Sequence, residues 1–119
     1  MHDKNAELPV FVKWMDFVAW LLPTMEKVPK KVRFTISQRI ENYALDIVED
    51  LIEARYGRNK KEILIKVNLK LEKMRILFRI CYERKFVSLK TFKHFTYSID
   101  TVGKMIGGWI KQQNKNYAR

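Results

Sequence analysis

One cysteine, two histidines, four glycines and three prolines in 119 residues exclude several kinds of protein at once. Cys81, alone, forms no intrachain disulfide and supplies no thiolate cluster for zinc or iron–sulfur, so the expected compartment is a reducing cytoplasm. The histidines, His2 and His94, have no triad or metal-ligand partner at a recognisable spacing. The few glycines form neither a phosphate loop nor a nucleophile elbow. No proline follows Pro29, so nothing of that kind interrupts a helix in the last three-quarters of the chain. A long uncharged apolar run is also missing. The stretch from Pro9 to Leu22 is interrupted by Lys13 and Asp16, is too short to span a bilayer and has no small-residue cleavage site after it, so neither a membrane span nor a secretory leader is expected.

Apolar residues make up 47% of the chain and aromatics are spread along it, as in a folded protein and unlike a basic disordered tail. The length suits one domain with one core, over residues 1–119. Positive charge is strongly polarised: residues 58–119 hold 16 Lys or Arg against 4 Asp or Glu, whereas residues 1–57 hold 8 against 9. A structured surface with that excess expects a polyanion as partner.

Four stretches repeat apolar residues near the helical period, and each is bounded by cap or turn chemistry. The first, residues 8–27, carries Val10, Trp14, Phe17 and Leu21, flanked by Phe11, Val18, Leu22 and Met25. Pro9 is expected in its first turn and Pro23 near its end. The second, residues 31–56, carries Ile36, Ile40, Tyr43, Ala44, Ile47 and Leu51, ends at Gly57 as a natural C′ residue, and turns Glu41, Asp46, Glu49, Asp50 and Glu53 outward. The third, residues 60–85, has a core stripe of Ile63, Val67, Leu71, Met74, Phe78 and Cys81. A second row, Ile65, Leu69, Ile76 and Ile80, projects roughly 160 to 220° away and cannot face the same core. That row predicts either a subunit interface or a wider intramolecular core reached by helix tilt. The fourth, residues 88–114, starts at the N-cap Ser88 and carries Phe92, Phe95, Ile99, Val102, Ile106, Trp109 and Ile110. Gly103 and Gly107 predict close approach of a neighbouring backbone. Short connections between long helices predict an all-α fold, an antiparallel up-down-up-down four-helix bundle.

Catalytic candidates are sparse. Cys81 and His94 would make a nucleophile and base, but they project onto different faces, and an apolar setting makes a thiol inert. Asp46, Asp50 and Glu53 on successive turns have a spacing that suits a divalent cation. They equally suit a solvated acidic face or one paired with a basic neighbour, and no Glu-x-x-His motif accompanies them. Polar side chains for an internal active site reduce to Asn42, Asn68 and Ser98. No enzyme activity, cofactor or metal is expected.

The basic residues are more ordered. On the third helix Lys66, Lys70, Lys73 and Arg84 share one line, and Lys61, Arg75 and Arg79 another. On the fourth, Lys90, Lys93, Lys104, Lys111 and Lys115 share the polar face with Tyr97 and Gln112. Two such helices side by side predict a broad positive wall for phosphates, and Tyr97 and Tyr82 would suit unstacked bases of single-stranded RNA. The plainer alternative is that these lysines only solvate helix faces.

The chain resembles a known family through four blocks in order: LPVFVKWMDFVAWLLPTMEKVPK from Leu8, VRFTISQRIENYALDIVEDLIEARYG from Val32, LIKVNLKLEKMRILFRICYERKFVS from Leu64 and IDTVGKMIGGWIK from Ile99. They are similar to the accessory variability determinant (Avd) of diversity-generating retroelements, within the wider group of four-helix bundles that includes the 23S rRNA intervening-sequence proteins. The resemblance implies a non-enzymatic subunit that assembles into a homopentameric barrel, binds nucleic acid through its basic surface and associates with the retroelement's reverse transcriptase. In that family the complex copies a template-repeat RNA into mutagenised cDNA. The family supplies no short binding signature, so the candidate residues remain those of the charged faces, with Ile65, Leu69, Ile76 and Ile80 as candidate interface. Two other readings stay open: an intervening-sequence-type bundle with ribosomal RNA or an unknown protein as partner, and a purely structural homo-oligomer.

Overall fold

The computed structural model describes residues 4–118, with side-chain surroundings over residues 7–115. His2 lies outside the described residues. Four α-helices, α1 (Lys4–Met25), α2 (Gln38–Tyr56), α3 (Lys60–Glu83) and α4 (Leu89–Ala118), form the bundle, and no strand occurs among the described residues. Each helix packs on its two neighbours in the cyclic order α1, α2, α3, α4. The contacts run antiparallel. Trp14 meets Ala44, Lys70 meets Asp50, Arg75 meets Asp100, and Phe17 meets Phe95. The bundle is 51 Å long and 23 by 20 Å across.

The core follows the periodic stripes: Val10, Trp14, Phe17 and Leu21 from α1; Ile40, Ala44, Ile47 and Leu51 from α2; Val67, Leu71, Met74, Phe78 and Cys81 from α3; Phe95, Ile99, Val102, Ile106 and Trp109 from α4. Leu64 is fully buried and Ile63 only partly so, a phase difference of one residue at the start of α3. Phe78 and Phe95 stack with centroids 3.8 Å apart, and Phe17 meets Phe95 edge-on at 5.5 Å, so aromatic packing joins α1, α3 and α4. The indole N–H of Trp14 donates to the Ala44 carbonyl at 2.9 Å. That bond satisfies the one polar atom of a fully buried side chain.

Several boundaries differ from the periodic reading. α1 starts at Lys4, so Pro9 falls in its second turn, on the exposed side. Lys31 does not begin α2. Pro29 holds an extended ψ of 140°, a single 3₁₀ turn follows over Lys30–Val32, and a π turn over Arg33–Ser37 precedes the regular helix. The extra residue of a π turn rotates what precedes Gln38 out of α phase, which periodicity alone does not register.

Gly57 is extended (φ −88°, ψ 173°), not left-handed, and a Cβ there would meet the Glu53 carbonyl oxygen at 2.7 Å. The C-terminus of α2 is instead closed by Lys60, whose ammonium donates to the carbonyls of Ala54 and Arg55 at 2.9 and 2.8 Å. A cation there also complements the helix dipole. The left-handed residue is Lys85, at φ 64°. It closes α3 through Lys85 N–H to Tyr82 and Phe86 N–H to Cys81, the paired bonds of a Schellman motif. Ser88 does cap α4, accepting from the Thr91 N–H at 3.1 Å. Gly103 and Gly107 do not mediate a close approach within the chain. A Cβ on Gly103 would find only Leu71 Cδ1, at 4.0 Å, and one on Gly107 nothing within 4 Å.

Candidate nucleic-acid interface

α3 lies between α2 and α4, and its two basic rows point to opposite neighbours. Lys70 Nζ sits 2.5 Å from Asp50 Oδ2, and Lys73 Nζ lies 5.6 Å from the ring centroid of Tyr43, so the line with Lys66 and Arg84 faces the α2 side. Arg75 bridges Glu72 of its own helix and Asp100 of α4, the latter at 2.9 Å, while Arg79 meets Glu83 at 3.1 Å. The line with Lys61 therefore faces the α4 side. Between the rows stands the apolar ridge of Ile65, Leu69 and Ile76, 50, 55 and 54% exposed, with Ile80 partly covered. The ridge therefore separates the line of Lys66, Lys70, Lys73 and Arg84 from the α4 side, while the line of Lys61, Arg75 and Arg79 adjoins α4. Lys70, Arg75 and Arg79 already have carboxylate partners within the chain.

The fourth helix is different. Because Phe95, Ile99, Val102, Ile106 and Trp109 all turn inward, the opposite face projects Lys90, Lys93, Lys104, Lys111 and Lys115 into solvent, and Tyr97 is 67% exposed among them. None of these lysines enters an ion pair among the described residues. Asp100, the one carboxylate along that helix, is occupied by Arg75. The row extends about 37 Å at 1.5 Å per residue, a length that tracks several successive phosphates.

Residues from other helices extend this face. A cleft of about 260 Å³ between α1 and α4 is lined by Lys13, Asp16, Phe17, His94, Tyr97, Ser98 and Val102. The exposed His94 ring meets Trp20 of α1 edge-on at 4.4 Å. At the far end Arg58, Asn59, Lys60, Lys61, Glu62 and Gln113 border a second hollow of about 250 Å³. Lys13, Trp20 and Arg58 escape a search along single helix faces, because only the packing of α1 on α4, and of the α2–α3 turn beside the end of α4, adds them to the row.

A family model described as bAvd-like matches residues 10–113, nearly the whole bundle. The chain belongs to the bAvd-like family. Membership points to an accessory protein of a diversity-generating retroelement, in agreement with the four blocks between Leu8 and Lys111. No curated protein and no solved structure matches the chain.

The exposed side chains of this bAvd-like bundle offer electrostatic contact and stacking. Cys81 is buried, and burial pushes its thiol up to about 11 against the smaller lowering effect of a backbone hydrogen bond. At neutral pH it is a thiol and a poor nucleophile. Asp50 is held by Lys70, and among the described residues no three His, Cys, Asp or Glu side chains gather as a metal site. Asn42 faces solvent, and Asn68 and Ser98 are half-buried on different helices. Glu41 has its carboxyl raised by burial and then by the neighbouring Glu26 charge, with Arg33 pulling the other way.

Proposed function

We propose that this bAvd-like chain is a non-enzymatic, cytoplasmic subunit that holds RNA against the reverse transcriptase of a diversity-generating retroelement during mutagenic cDNA synthesis. The observation that carries the reading is the unpaired lysine row of α4 with Tyr97 at its middle, in a chain of this family. Five lysines neutralising phosphate give a salt slope of about −3.5 on single strands and about −4.5 on duplex, which is affinity without base readout. Lys61 adjoins this face and Arg84 reaches it at the α3–α4 connection, while Lys66 and Lys73 lie across the α3 ridge and offer separate phosphate contacts. Lys70, Arg75 and Arg79 contribute less, since each must first leave a carboxylate.

Self-association completes the proposal. Ile65, Leu69 and Ile76 are a helical ridge with nothing over it in the single chain, and Leu8, Val12 and Met15 of α1 with Leu45 and Ile52 of α2 are a second exposed apolar set. The Glu7–Arg55 pair marks the α1–α2 seam, and helical geometry puts the second set just outside it, on a different side of the bundle from the α3 ridge. Glu49 flanks Leu45 and Ile52 of the second set, whereas Lys66 and Lys73 border the ridge. Two unlike but complementary faces favour head-to-tail pairing, which closes into a ring such as the family's pentamer. A ring multiplies weak phosphate contacts into avidity.

The test is a pull-down of the tagged protein from its host at two salt concentrations, reading bound proteins and bound RNA. Recovery of a reverse transcriptase with one defined non-coding RNA, lost steeply at the higher salt, supports the reading. Ribosomal RNA without a polymerase would transfer it to the intervening-sequence type, and a ring that carries no RNA would leave a structural oligomer.

A further inference from the structure

The connection from α1 to α2 and the connection from α3 to α4 lie at the same end of the bundle, because the helices alternate in direction. Lys31 of the first sits with its Nζ 5.9 Å from the ring centroid of Phe86 in the second. That contact brings together positive charge from the nearly neutral first half of the chain and the strongly basic second half. Lys27, Lys30, Lys31 and Arg33 are exposed on the first connection. Arg84 and Lys85, with Lys90 and Lys93 of the first turns of α4, are exposed on the second. None of them takes part in an ion pair among the described residues. The carboxylates at this end are Glu26, Glu41 and Glu83, the last engaged by Arg79. In the middle of the basic turn, within the π-helical segment, Phe34 is 80% exposed, more than any other large apolar side chain described.

We infer that this end of the bundle is a binding site for single-stranded nucleic acid, with the cations of the two connections holding phosphates and Phe34 stacking on an unpaired base. The inference rests on the nucleic-acid reading above and extends it to residues that no single helix face contains. A duplex hides its bases, so Phe34 adds nothing to duplex binding. A single strand offers a ring surface at every nucleotide, and one stacked base is worth about 1–3 kcal/mol. An anionic membrane would also attract the cations. It is the weaker fit, because Phe34 is a lone ring and not part of an amphipathic helical face that could lie in the interface. The lysine row on α4 continues from Lys90 and Lys93, so a strand anchored here runs onto the long face.

The test uses the full chain and fluorescence anisotropy with a labelled twelve-nucleotide RNA, the same RNA as a duplex, and vesicles of zwitterionic lipid containing phosphatidylserine. Phe34→Ala is expected to weaken single-strand binding about tenfold, leaving duplex binding and the salt slope unchanged. The triple variant Lys30→Glu/Lys31→Glu/Arg33→Glu is expected to lose more than tenfold and to flatten the single-strand slope by about 2. These side chains are exposed, and a melting curve equal to wild type verifies that each variant folds. If the wild-type chain binds the single strand but both variants match it in affinity and slope, this site is wrong and the α4 reading stands. If the wild-type chain binds neither RNA, both fail. Phe34-dependent binding to the vesicles and not to the single strand would overturn the inference in favour of a lipid surface.

Discussion

Lys70 reaches from α3 to Asp50 on α2, with Nζ 2.5 Å from Oδ2 and both side chains largely covered. This lysine stands in a regular basic row, yet its charge is answered inside the molecule. A double-mutant cycle of Lys70→Ala and Asp50→Ala should give a coupling of about 1 kcal/mol, weakened only partly by salt, since the pair is not fully solvated. Lys70→Ala should change RNA affinity less than Lys104→Ala does. Equal losses, measured by the same titration, would mean that the pair opens on binding.

Lys85 occupies the left-handed position that ends α3, where a side chain is strained and glycine is not. Lys85→Gly should raise unfolding free energy by about 0.5–1 kcal/mol in urea titration. A loss of stability would show that the Lys85 side chain makes a contact worth more than the strain.

Gly107 has open space where a Cβ would stand, so within one chain an alanine adds helix propensity and touches nothing. Gly107→Ala should stabilise the monomer by about 1 kcal/mol, or roughly 4 °C in melting temperature. If the same substitution dissociates an oligomer in analytical ultracentrifugation, the glycine lies under a neighbouring subunit, and the packing role expected of it holds between chains.

Cys81 should resist alkylation by iodoacetamide at pH 8 in the folded protein and react promptly in denaturant. The sign of its linkage follows from a thiol raised from 9.0 to about 11 by burial. The neutral form is favoured by folding, so its contribution is complete below pH 9 and is lost as pH rises through about 11. Relative to Cys81→Ala, wild type should therefore lose stability across that interval and not near neutrality.

The four helices and nearly all of their buried residues are legible in the sequence because the apolar period is a local signal, repeated every turn by residues such as Trp14, Phe17 and Leu21. Cap chemistry was readable where a side chain bonds its own neighbours, as at Ser88. It was not readable at the end of α2, where the group closing the helix is Lys60, a residue already inside the next one.

Composition and period alone determined that this chain is all-helical, with one strongly positive half and a second apolar row on α3, whereas packing decided that Ile65, Leu69 and Ile76 of that row stay outside its own core. Tertiary structure decided which charges remain available. A helix face is set by residues three and four apart, whereas the partner of Lys70 is twenty residues away and the contact between Lys31 and Phe86 joins segments more than fifty residues apart. Charge on a single helix is therefore predictable from spacing. Whether that charge faces a carboxylate, an apolar ridge or solvent depends on the order in which the four helices pack, and no local pattern encodes that order.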